Sequence, residues 1–193
     1  MKLTKMLGPV AAVALALMAF AGTASATTLT TNGVKQTTAV TLDWSMSGSM
    51  TKSDTSNTFA NTCKASTLLG SSSSSQTGSS VSGPVSSLSF SNCTHELVVV
   101  DKPGSFSIEV IGSGPNGTIR STGAEITEPA TIGSSIITLN CKTSNTDLGT
   151  LTGTASGTST IHINAVLNCG FFLPSARWVG TYNITGHSIS ATS

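Results

Sequence analysis

The residues that could carry chemistry in this chain are few and far apart. His95, His162 and His187 are scattered, and none lies within helical or strand ligand spacing of another. A Ser-His-Asp hydrolase needs its nucleophile, base and orienting acid within hydrogen-bond reach. Serines abound, but no G-x-S-x-G elbow presents one. His162 alternates with Ile161 and Ile163 and reads as an exposed strand residue. Glu125 and Glu128 are close enough to suggest an acid/base pair. Such pairs work beside aromatic platforms, however, and only 5% of this chain is aromatic, so the two acids read as part of a solvated loop near Pro129. Gly112, Gly114 and Gly117 spell G-x-G-x-x-G, which binds a dinucleotide only where it opens a helix. Pro115 and Asn116 lie inside it and TIRST follows it, so a hairpin turn is expected instead. Trp44 and Trp178 are candidates for stacking on a glycan, with Tyr182 beside them, although their strand parity places them in a core. No catalytic, cofactor-binding or metal-binding residue is assigned, and no cofactor is expected.

The four cysteines, Cys63, Cys93, Cys141 and Cys169, are separated by tens of residues. A zinc site wants pairs two to four positions apart, whereas an even number in an exported chain favours disulfides. Three pairings are open. The favoured one joins Cys63 to Cys93 and Cys141 to Cys169, because the two segments look alike. One opens CKASTLLG and the other CKTSNTDLG; they close on Asn92-Cys93 and Asn168-Cys169, and each carries an SG pair between.

The elements that hold these residues read as strands. Val40, Leu42, Trp44 and Met46 alternate with Thr41, Asp43, Ser45 and Ser47, the period of two that turns one row inward and one to water. Similar rows run through Phe106, Ile108 and Val110; through Ile137, Leu139 and Cys141; and through Ile161, Ile163, Leu167 and Cys169. Cys141 and Cys169 thus share the inward parity of their strands. A further strand, ARWVGTYNIT, sets Trp178, Tyr182 and Ile184 on one face. Turn signals separate these rows at near-regular intervals, which suits an antiparallel sandwich or barrel of eight to ten strands. The low-complexity stretch GSSSSSQTGSSVSG, between Gly70 and Gly83, reads as a surface loop tethered at both ends by the first disulfide.

Composition sets the wider limits. The chain has 193 residues with 38% hydrophobic and only 9% charged side chains, and its net charge is +1. Nine unclustered Lys and Arg residues exclude a nucleic-acid binder that works through a basic footprint. Lys2 and Lys5, the apolar run VAAVALALMAFA and the small residues Ala24-Ser25-Ala26 read as a signal peptide over residues 1–26. The run is shorter than the ~20 residues that span a bilayer, so the mature chain, residues 27–193, is expected to be one secreted β-domain that does not cross the membrane. A chain with two Trp and one Tyr also cannot build the aromatic girdles of a membrane barrel.

Three stretches carry a family resemblance: F-S-N-C-T at Phe90–Thr94, L-N-C at Leu167–Cys169 and the closing R-W-V-G-T-Y-N-I-T at Arg177–Thr185. Together with the signal they resemble a group of small secreted all-β, four-cysteine proteins common in actinobacteria, which have no assigned activity. The resemblance implies export and a disulfide-bonded β-domain, and it brings no catalytic residue. The composition is also similar to that of chaperone–usher pilin subunits, but four cysteines and the ending GHSISATS depart from their pattern. The expected role is therefore non-enzymatic recognition or scaffolding in the cell envelope or outside the cell, through loops and a Ser/Thr-rich strand face that meets an envelope glycan or another protein chain. The alternatives are a surface-polymer subunit that shares an edge strand and a secreted hydrolase using His162 or His187.

Overall fold

Ser, Thr and β-branched residues in alternation favour extended chain over helix, and in the computed structural model every regular element among the described residues is a strand. The structure describes residues 26–54, 60–74, 76, 78–95, 98–132, 134–171 and 173–193. The signal-peptide reading lies outside the described residues save for Ala26. The strands are β1 (Thr28–Thr31), β2 (Val34–Lys35), β3 (Thr41–Asp54), β4 (Ala60–Ser71), β5 (Ser80–Cys93), β6 (Val99–Lys102), β7 (Ser105–Val110), β8 (Gly117–Thr122), β9 (Glu125–Ile132), β10 (Ser135–Lys142), β11 (Thr146–Thr152), β12 (Thr160–Leu167), β13 (Ala176–Ile184) and β14 (Ile189–Thr192).

Eight of them close an antiparallel barrel in the order β11-β12-β13-β3-β4-β5-β7-β8, with β8 pairing back to β11. The expected count of eight to ten strands matches the barrel; the further strands form two small sheets, β10-β9-β6 and β14-β1-β2. One sheet lies at each mouth. The β6–β9–β10 sheet adds Ala130, Leu139 and Cys141 to the barrel core, and the β1–β2–β14 sheet adds Leu29, Ile189 and Ala191. Inside, the inward rows of the strands meet as Trp44, Phe106, Ile119, Leu151, Ile163 and Tyr182. Trp44 packs its ring against Phe106 at 5.8 Å, and Phe90 meets Trp178 edge-on at 5.9 Å. An apolar gap bounded by Trp44, Leu68, Phe106, Ile126 and Trp178 amounts to about 20 Å³, room for about one water molecule.

Two local features set the register. Gly48, at a φ of 83°, sits where the β3–β4 pairing shifts between Ser45 and Met50; β3 keeps Leu42, Trp44, Met50 and Lys52 inward, while on β4 the inward row passes from Asn61 and Cys63 to Ser66 and Leu68. At Gly83 a Cβ would lie 1.8 Å from the Ser71 carbonyl oxygen, so only glycine lets β5 pass that close to β4.

Both disulfides form as the sequence favoured, Cys63–Cys93 and Cys141–Cys169. The matching segments nevertheless occupy unlike places. Cys63 and Cys93 face each other across neighbouring barrel strands β4 and β5, whereas Cys141 ties β10 of the mouth sheet to the turn after β12. Nor is the stretch from Gly70 to Gly83 the tethered surface loop expected. Its two ends are strand, Ser72 and Gln76 are buried, and Gln76 Oε1 accepts from the Leu29 amide at 2.7 Å. Its polar side chains serve as internal hydrogen-bond partners, which composition alone does not reveal.

Candidate functional site

The antiparallel register lines up the outward side chains of successive strands into rows around the barrel. One row runs Thr152, Thr160, Asn183, Ser45, Thr67 and Ser89 from β11 to β5. A second runs Thr118, Thr150, His162, Thr181 and Ser47 from β8 to β3. The two rows make a wall of hydroxyls. Thr67 and Ser89 hydrogen bond across β4 and β5 at 2.8 Å, and His162 Nδ1 lies 3.2 Å from Thr181 Oγ1. A shallow open depression in this wall is lined by Thr146, Asp147, Thr150, His162 and Asn164. Asp147 Oδ1 accepts from the Gly149 amide at 2.9 Å, a turn contact, and the hydrogen-bond partner of the His162 ring is Thr181. The exposed hydroxyls outside and the apolar core inside are the reverse of a lipid-facing barrel.

The sequence-predicted sites fall as follows. His162 is exposed on its strand, as expected. His187 lies in another shallow depression, with Asn32, Asn183 and Ser188. The glycine motif is the β7–β8 hairpin, with Ile111 donating to the Asn116 carbonyl at 2.9 Å, and no helix follows it. Trp44 and Trp178 are only 1% and 5% exposed, which corrects the glycan-stacking reading: neither indole offers a face to a sugar in solvent. Tyr182 is buried with them; its hydroxyl donates to Ser66 Oγ at 2.9 Å, and burial pushes its pKa up to about 12. Among the described residues, no group of His, Cys, Asp and Glu could hold a metal ion.

Glu125 and Glu128 require the largest correction, because they form no solvated loop. Both lie on β9, and they point to opposite environments. Glu125 sits at the surface, where Lys102 at 3.2 Å and Lys142 at 3.3 Å approach the same oxygen. The hydrogen bond from Lys102, reinforced by Lys142, holds the Glu125 carboxyl below the usual range. Glu128 is 1% exposed and forms an ion pair with Lys52 of β3, itself 6% exposed. Burial pulls the Lys52 pKa down, and the Glu128 charge opposes that only in part. Asn61 of β4, 1% exposed, donates from Nδ2 to Glu128 Oε2 at 3.3 Å. Its Oδ1 accepts from Thr94 Oγ1 at 3.4 Å and from the His95 amide at 3.2 Å. Lys52 Nζ also contacts Cys141 Sγ, so one disulfide touches this cluster and Thr94 directly follows the other.

Sequence reasoning passed over Lys52, Asn61 and Thr94. The signal available was slight: one lysine near the end of a strand-like segment in a chain with very few charges. No protein-family model, curated protein or solved structure matches the chain. Two disulfides suit an oxidising, extracellular setting, and no helix among the described residues is long and apolar enough to cross a membrane.

Proposed function

We propose that this chain is an exported, non-enzymatic β-module of the cell envelope or its surroundings, whose hydroxyl-lined wall makes hydrogen-bonded contact with an envelope glycan. The observation that carries this reading is the pair of hydroxyl rows in register around the barrel, with the shallow depression at Thr150 and His162 on the second row. Ser and Thr hydroxyls both donate and accept, so strand-spaced rows of them can match the alternating hydroxyls of a polysaccharide. With both indoles buried, neither tryptophan adds a stacking platform, and the contact is a broad, weak one that gains strength by repetition along a polymer. Sharing an edge strand between copies finds less support, since the barrel is closed and free edges remain only in the small mouth sheets.

Co-sedimentation of the purified protein with insoluble cell-wall polysaccharide tests the reading. Thr67→Lys, Ser89→Lys and Thr150→Lys together replace exposed hydroxyls and should leave the fold intact while weakening binding by about tenfold or more. Unchanged binding by a folded triple variant, or no binding by the native protein, would discard the wall as a recognition surface. A screen on ester, peptide and glycan substrates should show no turnover. Activity abolished by His162→Gln would establish the hydrolase reading instead.

A further inference from the structure

The buried cluster of Lys52, Asn61 and Glu128 plays no part in the outer wall. We propose that it is a self-cross-linking site, at which Lys52 Nζ and Asn61 Cγ join in an isopeptide amide and release ammonia. This inference goes beyond the glycan reading and stands or falls apart from it.

An amine attacking a carboxamide faces three obstacles in water. The amine is protonated, the amide carbon is a poor electrophile, and the leaving nitrogen needs a proton. The cluster addresses each. Burial favours the uncharged form of Lys52, since taking an ammonium out of water is costly and its neighbour Glu128 can hold the proton. Asn61 Oδ1 accepts from the Thr94 hydroxyl and the His95 amide, two donors placed where negative charge would develop on that oxygen. Glu128 touches both reacting nitrogens, with Oε1 against Lys52 Nζ and Oε2 3.3 Å from Asn61 Nδ2. One carboxyl can therefore take a proton from the attacking nitrogen and pass it to the leaving one. Lys52 and Asn61 are directly opposed partners in the β3–β4 pairing, so the backbone already holds the two reactants side by side.

The step balances without any co-reactant. Proton transfer within the ion pair leaves Lys52 as a free amine and Glu128 as a neutral acid. The Nζ lone pair attacks Asn61 Cγ, forming the N–C bond and placing negative charge on Oδ1 between Thr94 and His95. Glu128 delivers its proton to Nδ2 and takes one from Nζ. The Cγ–Nδ2 bond breaks, the carbonyl reforms and ammonia departs. The donors are themselves fixed: Thr94 exchanges hydrogen bonds with Thr62 through its amide and its hydroxyl, and the Cys63–Cys93 disulfide lies beside that pair.

Intact mass and peptide mapping of the folded, mature protein test the proposal. The expected mass is that of the sequence with two disulfides, less one ammonia. The digest should contain a branched peptide joining Lys52 to Asn61, with no cleavage after Lys52 by trypsin. Glu128→Gln keeps the shape of the site while removing its proton carrier, and Lys52→Met removes the nucleophile; both should retain the full mass and give no branch. If either variant fails to fold, the native mass and map still decide. Native protein without the loss would overturn the proposal. So would an ammonia loss mapped to succinimide formation at Asn32-Gly33 or Asn116-Gly117. A branched Glu128→Gln protein would overturn the role given to Glu128.

Discussion

The two mouths of the barrel are each closed by a three-stranded sheet, but by different means. At the mouth under β6, β9 and β10 lie both disulfides, the Lys52–Glu128 pair and the Asn61 contacts. At the mouth under β1, β2 and β14 the ties are hydrogen bonds between main chain and small hydroxyls. Ser159 Oγ both donates to the Ile189 carbonyl and accepts from its amide, each at 2.7 Å, and Thr30 meets Ser190 at 2.5 Å. One end relies on covalent bonds and buried charge, the other on many modest contacts. The comparison shows how unevenly stability can be spread: neutral hydrogen bonds add up in small steps, whereas a buried charge is all or nothing.

The sharpest way to break this contrast is Glu128→Ala. It leaves Lys52 buried without its counter-charge, and denaturant unfolding should show a loss of about 3–5 kcal/mol. Replacing Lys52, Asn61 and Glu128 together by Met, Leu and Leu should cost less, because both designs lack the proposed Lys52–Asn61 bond and only the first leaves an unpaired charge. Equal losses from both designs would mean that the cluster matters for its shape rather than its charge. Next comes the paired change Cys141→Ser with Cys169→Ser. A cross-link spanning 28 positions restrains the unfolded chain by roughly 3–4 kcal/mol, so the unfolding free energy should fall by a comparable amount. At the opposite mouth, Ser159→Ala leaves the buried Ile189 amide without its partner, while the Ile189 carbonyl keeps the Thr154 amide, and a loss of about 1–3 kcal/mol is expected. A loss as large as that from Glu128→Ala would erase the distinction between the two ends.

The smallest effect belongs to Glu125, three residues from Glu128 and open to solvent. Glu125→Gln should barely move the midpoint at neutral pH, and salt should remove what difference there is. The sign of its pH dependence follows from its lowered pKa. The stabilisation from Lys102 and Lys142 is fully present above the ordinary carboxylate range and is lost as pH falls through the depressed value. A melting series in which Glu125→Gln differed more from the native protein at pH 8 than at pH 2 would agree with this; the opposite trend would contradict it.

The barrel core was legible because its strands alternate cleanly. The parity of Trp44, Trp178 and Tyr182 predicted their burial, and the shared inward parity of Cys141 and Cys169 agreed with their bond. The reading stopped where the side chain was polar. Lys52 shares the inward parity of Val40, Leu42 and Trp44, but the alternation was followed only as far as Ser47, and a lysine adds no apolar signal to the row. Glu128 precedes Pro129 and looked like part of a loop, but Pro129 is accommodated within β9. The cluster itself joins β3, β4 and β9, and only the closed topology brings those strands together. The short strands β1, β2 and β14 have too little apolar periodicity to announce themselves; they become strands by pairing.

That pairing has a consequence in time. The register Thr28↔Thr192 to Thr31↔Ile189 completes the first strand of the fold with its last. A ribosome delivers Leu29 early, and its partner strand only after nearly the whole barrel has been made. Until Ile189–Thr192 are synthesised, Leu29 and the neighbouring core have no lid, and a growing chain carries that apolar surface uncovered. Joining segments about 160 positions apart is also among the slower steps of folding. Synthesis that stalled before Ile189 would therefore yield a chain with its barrel strands present and one mouth unclosed, a form that proteases and chaperones can distinguish from the closed one.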